Sequence, residues 1–254
     1  MAKKRSGLTV GESTSRDRKS GLSGGDNFSA FFISDRSIGP VARDQQGFIE
    51  RLEQAASVRS TDTVAWMNQV HGTSLCHVGR DHKHQVSVKE IDGMWTDQKG
   101  VMLIAKTADC APLLMRSEEA GVVAAIHCGW NGFFEGILEN FAALWEERGF
   151  RPGSFSAFIG PMLRERNFEV RQDFIDKVPD AKRSFLVRRG ERTTFDLARG
   201  IASTLGGLGV TQIEDCGVDT YTSEEYYSYR RWTHADPATR RETYMTFASA
   251  IVMR

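Results

Sequence analysis

The sequence predicts a mixed α+β protein in which packed β-sheets are flanked by helices. Short apolar runs that end in polar or glycine-containing turns outnumber the segments with helical spacing. Two of these runs, residues 111–115 and 122–126, are separated by the polar turn RSEEAG, which is typical of a β-hairpin. The chain shows no internal repeat of solenoid length.

The length and composition limit the kinds of protein to which this chain can belong. At 254 residues the chain can bury a sizeable core. Its 33 basic and 33 acidic residues cancel, so net charge gives no reason to expect a nucleic acid or an acidic membrane as a partner. No apolar run approaches the ~20 residues of a membrane span, and the four cysteines form no CxxC pair. We expect a cytoplasmic monomer or homodimer without a disulfide framework.

The first half of the chain begins with a segment that lacks periodicity. Residues 1–25 are rich in Gly, Ser, Lys and Arg and predict a flexible basic tail, whereas residues 26–254 predict a single domain. Within the domain, an early strand is expected at 28–33 and an amphipathic helix at 43–55. A strand over 62–70 leads into the HGT turn that carries His71, extended structure resumes at 74–78, and 82–84 form a polar loop.

The central and C-terminal parts contain most of the predicted strands. Strands are expected at 93–96, 101–106, 111–115, 122–126, 156–159, 168–170, 184–187, 212–218 and 243–253. A single amphipathic helix is expected from the start of FFEGILENFAALWEERG to Gly149, and further helices at 171–178 and 195–206. Residues 234–241 are expected to form a polar loop.

Three reactive side chains, His71, Cys110 and His127, each follow an apolar run at a glycine-containing or polar turn. If the runs at 111–115 and 122–126 form an antiparallel hairpin, Cys110 and His127 lie at neighbouring strand ends. Two imidazoles and a thiolate can hold a catalytic zinc and leave a fourth position open. Their separations match no zinc motif, so the residues alone also allow hydrogen-bonded histidines and an inert buried cysteine. Copper is the alternative metal, although six histidines are too few for the several copper centres of a laccase.

Five motifs in this order, NQVHGT, DGMWTDQKGVMLIAKTADCAPLL, AAIHCGWNG, FIGP and YYSYRR, resemble the YfiH family. It is also called the laccase-domain or polyphenol-oxidase family, and its bacterial members are also named peptidoglycan editing factors. The resemblance extends from about Trp66 to the C-terminus. It implies a four-layer α/β/β/α fold and zinc bound by catalytic His71, Cys110 and His127. It also implies phosphorolysis of adenosine, inosine, guanosine and methylthioadenosine, and deamination of adenosine.

The substrate-binding candidates are Gln69, Asn131 and Arg230. Arg230 can hold phosphate bidentately, and Gln69 can bind a base or sugar edge; a solvated arginine and a turn residue are the plainer interpretations. Asn131 replaces an arginine of the family's usual HAGWRG motif. We expect this replacement to weaken phosphate binding more than metal binding. Met162 likewise replaces the usual cysteine after IGP.

The remaining candidates concern proton transfer, stacking and a rival chemistry. Asp92 and Asp109 are candidate proton shuttles, with turn roles as the alternative. The tyrosines of YYSYRR can stack a purine or pack in the core. A different enzyme class is a Cys–His hydrolase or amidase acting on muropeptide precursors, with Cys110 as nucleophile and His127 as base. A copper polyphenol oxidase and a metal-binding protein without catalysis are further alternatives.

Overall fold

Two six-stranded sheets lie face to face in the computed structural model, which describes residues 21–41, 45–56, 63–80, 84–238 and 245–254. The strands are β1 Gly21–Gly25, β2 Ser29–Ser34, β3 Thr63–Asn68, β4 Leu75–His77, β5 His84–Lys89, β6 Gly93–Thr96, β7 Val101–Thr107, β8 Ala111–Ser117, β9 Val122–Cys128, β10 Ser156–Ile159, β11 Glu169–Val170, β12 Leu186–Arg189, β13 Arg192–Phe195, β14 Gln212–Asp215 and β15 Phe247–Met253. The helices are α1 Gln45–Ala56, α2 Trp130–Glu135, α3 Ile137–Glu147, α4 Gln172–Ile175, α5 Leu197–Gly207 and α6 Tyr229–Ala235.

The first sheet has the order β1-β2-β15-β7-β3-β5 and the second the order β14-β10-β8-β9-β6-β4. Both are mixed. In the first, β3 runs parallel to β5 and β7 while β2 and β15 are antiparallel. In the second, β8 and β9 are antiparallel while β4 and β6 are parallel. A small third sheet, β11-β13-β12, joins the helical side of the second. The β8–β9 pair confirms the predicted hairpin.

Alternating side chains divide the interior into three apolar layers. On β9, Val123 and Ala125 face the first sheet, whereas Ala124 and Ile126 face α3 and α5. On β2, Phe31 faces the second sheet, and the opposite face of the first sheet packs against α1. Both sheets are therefore buried on both faces, which explains their continuous apolar runs. The layers follow the order α/β/β/α, so the predicted fold is confirmed.

The N-terminal boundary and the central helix differ from the predictions. Residues 21–25, predicted as the end of the tail, form β1 beside β2; the other residues of that tail lie outside the described chain. The single helix predicted through FFEGILENF is two helices, α2 and α3, because Gly136 adopts φ 92° between them. Only glycine occupies this left-handed region without steric cost.

Other differences involve polar or short elements. β5 begins at His84, within the predicted polar loop, whose other residues lie outside the described chain. β13 occupies the predicted start of the helix at 195, so α5 begins only after Asp196 caps it by accepting from the backbone N–H of Arg199. The helix predicted at 171–178 is the single turn α4. The predicted loop at 234–241 begins inside α6, and its last residues are not described.

Within the described chain, no helix combines the length and the apolar character that crossing a membrane requires.

Candidate metal centre

His71 lies in a strained turn that one carboxylate holds in place. The chain leaves β3 at Asn68, and His71 has φ 63°, a conformation that is costly for a residue with a Cβ atom. Asp92, which is fully buried, accepts from the backbone N–H groups of His71 at 3.0 Å, Gly72 at 2.7 Å and Val70 at 3.2 Å. These three hydrogen bonds offset the strain and fix the position of the His71 backbone.

The β8–β9 hairpin brings Cys110 and His127 together. His127 pairs with Pro112 in the ladder, and Cys110 immediately precedes β8, so the two lie at the same end of the hairpin, as predicted. His127 donates through Nδ1 to Asp92 Oδ1 at 2.7 Å, and its backbone N–H donates to the Asp92 carbonyl at 2.7 Å. The Nε2 atom is therefore the one available to a metal.

The three predicted ligands converge. The donor atoms of His71, Cys110 and His127 all lie within 4.8 Å of one another, and the two imidazoles meet edge to face with ring centroids 4.8 Å apart. Zinc bonds of about 2.0–2.3 Å place tetrahedral donors about 3.5 Å apart, so binding requires the donors to approach by about 1.3 Å at most. Two imidazoles and a thiolate are suitable donors for zinc or copper. The residues present fit a metal ion.

Glycine at position 129 leaves room for this cluster. A Cβ atom there would lie 3.0 Å from His71 Cδ2 and 3.1 Å from Cys110 Sγ. At Gly132 a Cβ atom would lie 2.7 Å from the Gly72 carbonyl oxygen. The glycines of HCGWNG therefore let the start of α2 approach the donors and the His71 turn closely.

The electrostatics of the cluster favour a thiolate. Burial opposes ionisation of Cys110, but the charge of His127 and hydrogen bonds from both histidines lower the pKa of the thiol to about 6. Burial likewise opposes a charged His127, but the Cys110 thiolate and Asp92 raise its pKa to about 9. Cysteine binds a metal as the thiolate and histidine binds it as the neutral imidazole. Metal binding would therefore displace a proton from His127. Cys128 points into the helical side of the core, where burial raises the pKa of its thiol.

A cavity of about 200 Å³ opens in front of His71 and Cys110. Its walls include the rings of Trp130, Phe168 and Tyr229. Nothing in the sequence singles out Phe168 as a cavity residue, whereas Trp130 lies in the motif HCGWNG. Clefts that combine aromatic walls with a few polar groups are the usual form of small-molecule sites.

The predicted substrate residues lie in different places. Arg230 lines the cavity, where its Nη1 atom donates to the Glu169 carbonyl at 3.0 Å. Gln69 is not among the cavity-lining residues; its amide donates to the Lys106 carbonyl at 2.7 Å and accepts from the Lys106 N–H at 2.8 Å. Asn131 donates to the His71 carbonyl at 2.9 Å and to Glu135 at 2.8 Å. Gln69 and Asn131 thus make structural contacts with the chain.

The two acidic candidates also differ. Asp92 is fully buried and does not line the cavity, so it has no exposed surface through which to exchange a proton with a substrate. Asp109 lines the cavity and accepts from Thr220 Oγ1 at 2.6 Å and from the Arg230 backbone N–H at 2.6 Å. Burial raises the pKa of Asp109 against these hydrogen bonds.

Of the tyrosines predicted to stack a purine, Tyr226 and Tyr227 pack in the core between the sheets, and only Tyr229 lines the cavity. Stacking by the first two is therefore excluded by their burial.

Comparison with known proteins decides the family. The family model described as "Multi-copper polyphenol oxidoreductase laccase" matches residues 17–248. The chain belongs to this family. A Deinococcus radiodurans relative named purine nucleoside phosphorylase is 33% identical over 217 residues, covering 84% of this chain and 81% of the relative. A Corynebacterium glutamicum relative with the same activity in its name is 28% identical over 207 residues, covering 80% and 82%.

Two solved structures share the fold of this chain. Bacillus licheniformis YfiH superposes with a TM-score of 0.78 at 20% identity, covering 94% of this chain and 98% of that protein. YlmD from Geobacillus stearothermophilus gives 0.76 at 21% identity, covering 89% and 92%. The "multi-copper" of the family's name contrasts with this chain, whose described residues bring together one group of three or more potential metal ligands.

Proposed function

We propose that the protein is a zinc-dependent purine nucleoside enzyme that cleaves adenosine, inosine, guanosine and methylthioadenosine by phosphorolysis and deaminates adenosine. The observation that carries this proposal is the convergence of His71, Cys110 and His127 at a cavity with aromatic walls. Relatives named purine nucleoside phosphorylase support the substrate class. The four cysteines are all free, which agrees with a cytoplasmic location.

Three residues would hold the metal, and two others position those ligands. His71, Cys110 and His127 would hold zinc, and copper would take the same donors. The metal, when bound, supplies a Lewis acid that activates water. Asp92 keeps His127 in the tautomer that presents Nε2, and it holds the His71 turn. Asn131 supports that turn from α2, which gives it a positioning role in place of the phosphate contact of the usual arginine.

The substrate would lie against the aromatic wall. Trp130 and Phe168 present ring surfaces on which a purine can stack. Arg230 supplies a guanidinium at the same cavity, which suits phosphate because the planar fork donates two parallel hydrogen bonds. Asp109 holds the backbone of Arg230 and thereby links the Cys110 loop to the phosphate-binding side.

A second candidate function is suggested by the series of contacts from Asp92 through His127 to Cys110 in the same site. Asp92 accepts from His127, and His127 in turn interacts with Cys110. A carboxylate–imidazole–thiol series is the arrangement of a cysteine hydrolase, with Cys110 attacking a carbonyl and His127 accepting its proton. Such an enzyme could hydrolyse muropeptide precursors.

Incubation of the purified protein with adenosine, with and without phosphate, tests the proposal. Inosine indicates deamination, and adenine that forms only with phosphate indicates phosphorolysis. The variant Cys110→Ala should lose both activities together with the bound metal. Turnover of a muropeptide by metal-free protein, with Cys110 labelled by iodoacetamide, would instead support the hydrolase.

A further inference from the structure

Asp109 lies immediately before the proposed ligand Cys110 in a strained backbone conformation. Its φ is 100°, in the left-handed region that a residue with a Cβ atom adopts at a steric cost. Of the described residues other than glycine, three have a positive φ, namely His71, Glu90 and Asp109. A strained conformation persists where surrounding contacts hold it, so the contacts of Asp109 determine the direction in which the chain enters Cys110.

Three other segments of the chain hold Asp109. Its carbonyl accepts from the backbone N–H of Leu163 at 2.9 Å. Its Oδ1 atom accepts from Thr220 Oγ1 at 2.6 Å, and its Oδ2 atom accepts from the backbone N–H of Arg230 at 2.6 Å. Leu163 and Arg230 line the cavity of the candidate metal centre, as Asp109 itself does. The residue before Cys110 is therefore bound to two parts of the cavity wall and to a threonine 111 positions further along the chain.

Thr220 is itself firmly placed. It is fully buried, and its backbone N–H donates to the Met162 carbonyl at 3.1 Å. Arg231, the second arginine of the motif YYSYRR, donates through Nη1 to three carbonyls of the same loop at 2.7–3.0 Å, those of Thr220, Tyr221 and Ser223. Any shift of the loop would break several charge-assisted hydrogen bonds together. The loop is therefore a fixed point from which the Thr220 hydroxyl holds Asp109.

We infer that Asp109 is a positioning residue for the metal ligand Cys110. The hydrogen bonds from Thr220 and Arg230 keep Asp109 at its positive φ, and this conformation directs the Cys110 sulfur towards the two ligand histidines. The buried Thr220 hydroxyl thereby controls metal affinity, although Thr220 is not a ligand and does not line the cavity. The inference rests on the proposed function in one respect, the metal at these three side chains, and it does not depend on the nucleoside chemistry.

Thr220→Val tests this role, because it removes the hydroxyl and nearly keeps the shape of the side chain. Thr194→Val is the matched control: Thr194 is also buried and its hydroxyl also donates to a carboxylate, that of Glu165, but it lies in β13 and does not line the cavity. Zinc and cobalt(II) affinities would be measured by competition with a chelator, since cobalt(II) takes the same imidazole and thiolate donors. The thiolate-to-cobalt absorption band reports the geometry of the Cys110 bond, which a loss of stability alone does not change.

We expect Thr220→Val to weaken the binding of both metals about tenfold and to shift the thiolate-to-cobalt band, whereas Thr194→Val changes neither. Asp109→Asn should weaken binding as well, because the amide has one acceptor oxygen where the carboxylate uses both. Asparagine tolerates a positive φ, so this loss reports the missing hydrogen bond. Circular dichroism melting checks that each variant is folded. Native metal affinity and an unchanged band in Thr220→Val would overturn the positioning role.

A crystal structure of metal-free Thr220→Val provides a second test that needs no bound metal. A changed φ at Asp109, with the Cys110 sulfur displaced from the histidines, supports the positioning role, and an unchanged φ with unchanged donor separations contradicts it. A native protein that binds neither metal would reject the proposed metal-dependent function, while this structure still decides the role of Asp109. Thr220-dependent metal binding without turnover of any nucleoside would reject the nucleoside chemistry and retain the positioning role.

Discussion

The carboxylate of Asp92 joins His127 to His71. It accepts from His127 Nδ1 at 2.7 Å and, with the same Oδ1 atom, from the His71 backbone N–H at 3.0 Å. Two ligand positions that are 56 residues apart in the sequence (127 − 71) thus share one support. Burial opposes a charge on Asp92, yet His127 and the backbone donors hold its pKa below the usual value.

Replacing Asp92 with asparagine should weaken metal binding about 10- to 100-fold, as is typical for the loss of a carboxylate that orients a ligand histidine. The amide has one acceptor oxygen, so it cannot serve His127 and the three backbone N–H groups together. Zinc affinity measured by competition with a chelator checks this expectation.

Asp97→Asn is the matched control for Asp92→Asn. Asp97 contacts an imidazole in the same way, at 2.9 Å from His77 Nε2, but both side chains are exposed and neither is a proposed ligand. Equal zinc affinities for Asp92→Asn and the native protein would contradict the shared-support role.

Gly129→Ala should lose metal and activity while the protein remains folded. The added methyl group would lie 3.0–3.1 Å from two ligand side chains, which must then move apart. Gly206→Ala serves as the control, because it lies in α5 where an added Cβ meets no atom within 4 Å. Metal content by mass spectrometry after dialysis is the measurement. Retention of one bound metal in Gly129→Ala would show that the ligands do not need this space.

A buried arginine should contribute to stability away from the site. Arg116, 4% exposed, lies 2.6 Å from Asp26 and donates to Ser29 Oγ at 3.2 Å, which fastens the β1–β2 hairpin to β8. Arg116→Ala should lower the free energy of unfolding by about 3 kcal/mol, because its partners lose a desolvated donor. The exposed pair Arg151–Glu119 should contribute much less, because water and salt screen the attraction between its charges. Urea denaturation of Arg116→Ala and Arg151→Ala measures both; similar losses would show that burial does not matter here.

Stability should fall in acid partly through Glu165. The hydrogen bond from Arg189, with a further one from Thr194, lowers the pKa of Glu165 from 4.5 to about 2. The folded state therefore binds this proton less readily than the unfolded state, so the contribution is full above pH 4.5 and is lost as pH falls towards 2. Glu165→Gln should give a shallower decline of unfolding free energy over that range. Identical slopes for variant and native protein would contradict this contribution.

Local and distant features differed in how far the sequence could reveal them. Cys110 and His127 could be placed together because one short turn connects their strands. His71 follows a strand of the other sheet, so its place after an apolar run marked it as a candidate but could not show that it lies beside the other two. The support from Asp92 was missed because nothing in DGMW indicates a carboxylate facing four donors. The break at Gly136 was missed because the apolar spacing continues through it. The start of β5 was missed because His84 was assigned to a polar loop with the two residues before it.

The metal content of the purified protein, together with that of Cys110→Ala, tests the central claim most directly. We expect one zinc or copper ion per chain in the native protein and almost none in the variant, with both proteins equally folded. A native protein that is active on adenosine without stoichiometric metal, or a Cys110→Ala variant that keeps its metal, would contradict a three-ligand centre at His71, Cys110 and His127.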